Sequence, residues 1–146
     1  MKRIPKYKVQ LVRDGSALYN SDEISEPNVA AEIIQKYLEK EDRENLIVLM
    51  LNSKNKVVGI NTVSVGSLDG SPAHPREIFK PAILSNAARI ILAHNHPSGD
   101  TTPSEADIGI TNRINNAGKT LGIPMLDHII VGGENWVSMK NLGYVR

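Results

Sequence analysis

Two short, uninterrupted apolar runs constrain this chain more than any other feature: Leu46 to Leu51 reads LIVLML and Arg89 to Ala93 reads RIILA. Each is too short for a helix of ordinary length and has no polar face, so both read as interior strands, the first buried on both faces. Strands of that kind need cover, and amphipathic stretches elsewhere supply it. Val29, Ile33, Ile34, Tyr37 and Leu38 share one helical face, with Glu32, Lys36 and Lys40 turned to water. The pattern predicts an α/β fold: a mixed, mainly antiparallel sheet with helices packed on it.

The other elements follow from local signals. Residues 7–13 (YKVQLVR) read as a first strand and residues 14–28 as a polar connecting loop. Asn52 to Asn55 turns the chain into a β-rich run, Val57 to Val65, making a hairpin with the LIVLML strand. Gly66 to Ser71 reads as a loop, and Pro75 opens a helix where its missing N–H costs nothing. Pro81 inside that helix removes a hydrogen bond at a cost of about 3 kcal/mol, so a kink or a late start is expected. Thr102, Pro103 and Ser104 start a helix carrying Ile108, Thr111, Ile114, Gly118 and Leu121, and Gly122 and Pro124 stop it. Met125 to Val131 and Trp136 to Met139 read as closing strands around residues 132–135. At 146 residues one domain suffices, with residues 1–24 as its leading strand and loop and residues 25–146 as its body.

Composition removes several classes of function. The chain has no cysteine, which excludes disulfides and thiolate metal sites, and its 17 basic against 16 acidic residues create no field for a polyanion. Lys2, Arg3, Lys6 and Lys8 read as a solvated terminus, and six aromatic residues (one Trp, four Tyr, one Phe) offer no stacking platform. Nucleic acid is therefore not the expected partner. The N-terminus lacks the apolar core of a signal peptide and no run reaches membrane-span length, which predicts a cytoplasmic protein.

Any transition-metal site must then use imidazole and carboxylate. His94 and His96, at i and i+2 beside the RIILA strand, project to one side of it. Asp107 follows eleven residues after His96, in the first turn of the next helix, where the intervening loop can return it to the same point. Two neutral nitrogens and one carboxylate are the ligand set of an open catalytic zinc site, with water completing the shell and acidified to a pKa near 7. His74 and His128, each taken alone, read as structural histidines. Asp100 suits an Asx turn, Ser104 an N-cap, and of the neighbours Asp127 and His128 at most one can face the site.

The stretch HNHPSGDTTPSEAD matches the JAMM signature of His-x-His, seven residues, Ser, two residues, Asp. With HPREIF upstream and LDHIIVGG downstream, the chain resembles the RadC-like branch of the JAMM/MPN (JAB) metalloprotease family from about Ser25 to Tyr144. The resemblance implies an MPN fold, Zn2+ on His94, His96 and Asp107, and a Ser104 hydroxyl near the substrate oxyanion. It also implies an upstream glutamate as general base. Glu44, just before the LIVLML strand, is favoured, with Glu77 of HPREIF as the alternative. Longer relatives carry a helix-hairpin-helix region, for which these residues have no counterpart. The expected activity is zinc-dependent hydrolysis of a peptide or isopeptide bond in a peptide or protein substrate. A non-enzymatic MPN interaction module and a DNA-repair-associated factor are the alternatives.

Overall fold

The LIVLML run lies in a strand, β1 (Asn45–Leu51), in which every residue is buried. The computed structural model describes residues 1–68 and 73–146, and β1 lies inside its sheet. Around it the chain runs α1 (Pro27–Leu38), β1, β2 (Val57–Val65), α2 (Pro75–Leu84), β3 (Arg89–Asn95), α3 (Glu105–Leu121), β4 (Met125–Gly132) and β5 (Asn135–Ser138). The strand order is β2-β1-β3-β4-β5. All neighbours are antiparallel except β3 and β4, which the α3 crossover makes parallel.

Alternation along β1 and β3 divides the core in two. Leu46, Val48, Met50, Ile90 and Leu92 face Ile78 and Phe79 of α2 and Ile110 and Ile114 of α3. Ile47, Leu49, Leu51, Ile91 and Ala93 face the opposite way, onto Ala30, Ile33, Ile34 and Leu38 of α1. Helices thus cover both faces of the sheet, as the absence of a polar face on β1 requires. Full burial of each such aliphatic side chain contributes about 1.5–3 kcal/mol, so this double layer dominates the stability of the domain.

The expected first strand is corrected. Residues 7–13 form no strand: Tyr7, Val9 and Val12 are exposed, and the N-terminal segment meets the sheet further on, at a Glu23–Lys56 bridge and where Tyr19 and Ile24 pack on the core. Alternating β-formers become a strand only against a partner edge, and none is engaged by these residues. Of the kink or late start expected at Pro81, the late start does not occur. The helix begins at Pro75, runs through Pro81 and ends three residues on; the carbonyl deprived of its donor belongs to Glu77, which is exposed to solvent. The expected loop at Gly66 to Ser71 falls partly on residues 69–72, outside the described residues. Among the described residues no helix is long and apolar enough to cross a membrane.

Candidate metal centre

Strand parity decides which side chains meet. Leu46 of β1 pairs with His94 of β3, and His94 pairs in turn with Ile130 of β4, all on the sheet face covered by α2 and α3. Leu92, on that same face, pairs with His128. Continuing the β1–β3 register by two positions brings Glu44 level with His96. One face therefore carries Glu44, His94, His96 and His128 at one end of the sheet.

Just past β3 the backbone N–H of His96 donates to the carbonyl of Val131 at 2.8 Å. The chain then turns at Gly99, whose φ of +86° favours glycine. A side chain at Gly132 would lie 2.8 Å from the Gly99 carbonyl oxygen, so this loop packs directly on the end of β4. The loop delivers the chain to α3, whose N-cap is Ser104. The Asp107 N–H donates to Ser104 Oγ at 3.1 Å and the Ser104 N–H donates to Asp107 Oδ2 at 2.8 Å, a reciprocal capping box. Ser104 is thus the cap its sequence position suggested, and the box aims the Asp107 carboxylate at the histidines.

His94 Nε2 lies 2.9 Å from Asp107 Oδ1, His96 Nε2 lies 3.1 Å from Asp107 Oδ2, and the two Nε2 atoms are 3.0 Å apart. His94 and Asp107 are buried, and His96 is nearly so. These three residues form a group that could hold a metal ion. Bonds of about 2.0–2.1 Å in a tetrahedral site set ligand atoms roughly 3.4 Å apart, so the spacing here needs only slight expansion. Burial opposes ionisation of Asp107, but the hydrogen bond and charge of His94 and the bonds from Ser104 outweigh it and hold the carboxyl well below its usual range.

The outer ring atoms are also engaged. His96 Nδ1 lies 2.7 Å from the Asp100 carbonyl oxygen, while the Asp100 carboxylate accepts from the Thr102 N–H at 3.0 Å, the Asx use expected of it. That bond lowers the Asp100 pKa. His94 Nδ1 lies 2.8 Å from His128 Nε2, and His128 Nδ1 lies 2.6 Å from Thr111 Oγ1. Burial pushes His128 well below the ordinary histidine pKa. Asp127 faces away from the site, accepting from Ser138 Oγ at 2.6 Å and from the backbone N–H groups of His128 and Lys140. Burial outweighs these bonds and raises its pKa. Of the neighbouring pair, then, the imidazole and not the carboxylate reaches the site. Thr111 was legible only as a helix position; its place four residues after Asp107, on the same helix face, was the available signal.

A cavity of about 340 Å³ opens over the cluster, lined by Glu44, His96, Asp107, Ser104 and hydroxyl-bearing residues that include Ser98 and Thr102. Glu77 does not line it. It sits exposed in the first turn of α2 with the Arg76 guanidinium 3.8 Å away, and His74 precedes it at the N-cap position, also exposed.

This geometry agrees with what comparison shows. Residues 24–144 match the RadC-like JAB domain family. The chain belongs to that family. It is 48% identical over 120 residues to a UPF0758 protein of Desulfitobacterium hafniense, covering 82% of this chain and 53% of the relative. It is 52% identical over 117 residues to a UPF0758 protein of Moorella thermoacetica, covering 80% and 51%. A third relative, from Clostridium beijerinckii, is 48% identical over 129 residues, covering 88% and 56%. This RadC-like JAB chain therefore spans about half the length of the curated relatives it matches.

Proposed function

We propose that this chain is a zinc-dependent hydrolase of the JAMM type, acting on a peptide or isopeptide bond. One observation carries the metal reading. A carbonyl oxygen only accepts, so His96 places its Nδ1 proton on Asp100 and turns Nε2 toward a carboxylate oxygen at 3.1 Å. Two Nε2 atoms and two carboxylate oxygens converging at such distances in a nearly buried site are held by positive charge between them, which a metal ion would supply. Two imidazoles and a carboxylate, with no thiolate in the chain, suit zinc.

Zinc held by His94, His96 and Asp107 would supply Lewis acidity, lowering the pKa of a water to about 7 and polarising a carbonyl. The chain's own residues supply the rest. Glu44, on the cavity wall and level with His96, takes the proton of the attacking water and returns it to the leaving amine. Ser104 Oγ already accepts from the Asp107 N–H, so its own O–H is free to donate to the carbonyl oxygen as negative charge develops there. The opening over the site suits a peptide or protein segment laid across the surface.

A proteome-derived peptide library incubated with zinc-loaded protein tests the activity. New N-termini that vanish on chelation are expected. Their absence with stoichiometrically loaded protein would reassign the chain as a non-enzymatic module that retains the metal.

A further inference from the structure

We propose that His128 and Thr111 are positioning residues that hold His94 as an Nε2 metal ligand through a one-way chain of hydrogen bonds beginning and ending on the ligands themselves. This rests on the metal reading above and deepens it, because it concerns what prepares the site to accept the ion.

The direction of the chain follows from its last link. Thr111 Oγ1 lies 2.7 Å from the backbone carbonyl oxygen of Asp107, one helical turn earlier, and in the proposed direction, the one that leaves His94 Nε2 open to metal, its single hydroxyl proton points at that acceptor. Thr111 Oγ1 can then only accept from His128 Nδ1, 2.6 Å away. His128 therefore carries its proton on Nδ1, and its Nε2 is a lone pair. The remaining contact, 2.8 Å from that Nε2 to His94 Nδ1, requires His94 to donate. With its proton on Nδ1, His94 presents its Nε2 lone pair to the point it shares with Asp107 Oδ1, 2.9 Å away.

The circuit closes on Asp107, whose carbonyl anchors the chain and whose carboxylate faces the ring that the chain orients. It joins β3, β4 and α3 through side chains that solvent does not reach: Thr111 and His128 are both 0% exposed. Water cannot replace either partner there. A flipped His94 ring would set a carbon against His128 Nε2, leaving a buried acceptor unpaired at a cost of about 1–3 kcal/mol. A threonine hydroxyl thus determines which nitrogen of a histidine two hydrogen bonds away is free to bind metal.

The test measures zinc affinity by chelator competition in the full chain, together with long-range nitrogen–proton NMR of the zinc-loaded protein. His128→Leu is expected to weaken zinc binding about 10- to 100-fold, the usual effect of removing an outer partner of a metal-bound histidine. His128→Gln offers an amide oxygen to His94 and should recover most of that loss, which a merely space-filling role would not produce. Thr111→Val, which keeps the side chain's shape, should weaken binding about tenfold. In the parent, His94 and His128 should both carry their proton on Nδ1. A folded His128→Leu with parental affinity, or a proton on His128 Nε2, overturns the proposal while leaving the metal reading intact. If His128→Leu does not fold, Thr111→Val and the parent's NMR decide. A parent chain that takes up no zinc overturns both readings.

Discussion

The His96 ring spans two acceptors: Nδ1 lies 2.7 Å from the Asp100 carbonyl oxygen and Nε2 lies 3.1 Å from Asp107 Oδ2. The first contact orients the ring and the second turns Nε2 to the point where the proposed metal would lie. His96→Ala should therefore abolish zinc binding while the domain still folds, because the core packs on β1 and β3 and the His96 side chain keeps 12% of its exposure. Circular dichroism and thermal unfolding of the variant check this. Collapse of the fold would mean that the metal is structural.

Glu44 and Glu77 separate by substitution. Glu44→Gln keeps nearly the same shape but cannot take a proton, so it should retain zinc and lose hydrolysis by about 10²- to 10⁴-fold in kcat. Glu77→Gln, outside the cavity, should leave kcat nearly unchanged. Steady-state kinetics on any peptide cleaved in the library assay would read both. A larger loss from Glu77→Gln would reverse the assignment.

Ser104 carries two roles that different substitutions uncouple. Ser104→Ala removes both the cap and the hydroxyl, costing about 1 kcal/mol of stability. Ser104→Gly costs only a few tenths, since glycine is tolerated at an N-cap, yet it also removes the hydroxyl. If Ser104 donates to the developing oxyanion, both variants should lose about 10²- to 10³-fold in kcat despite their different stabilities. Rates that follow stability instead would reduce Ser104 to a cap.

The metal-free protein should be labile to mild acid. The folded-state pKa of His128 lies well below its ordinary 6.5, so the unfolded chain binds a proton that the native state refuses. Stability from this residue is present above pH 6.5 and is lost as pH falls below it, with a slope of up to about 1.4 kcal/mol per pH unit. Asp107, whose pKa is lowered, acts in the same direction below 3.8, and Asp127, whose pKa is raised, opposes it from 3.8 upward to its folded value. Urea unfolding at roughly pH 5.5, 6.5 and 7.5 should show the decline in the parent and a flatter profile in His128→Gln. Equal slopes in the two would contradict this origin.

What the sequence disclosed depended on how local each signal is. β1 and β3 were legible because burial on both faces writes an unbroken apolar run, and His94, His96, Ser104 and Asp107 were legible because they fall within fourteen consecutive residues. The pairing of His128 with Leu92 was not, since it depends on the parallel register of β4 on β3, which shifts between Ile90 and Ile91. Without that register, Asp127 and His128 could not be told apart. Residues 7–13 misled for a related reason: alternation in Tyr7, Val9 and Leu11 reports a capacity to pair but not the presence of an edge to pair with.

The central claim is that His94, His96 and Asp107 hold one zinc ion in an open site. X-ray absorption at the zinc edge, on protein loaded with zinc and freed of excess, tests it most directly. The expected result is about one zinc per chain in a four-coordinate shell of nitrogen and oxygen at about 2.0–2.1 Å, with the multiple-scattering pattern of two imidazoles. No stoichiometric zinc, or a shell without imidazole, would contradict the account.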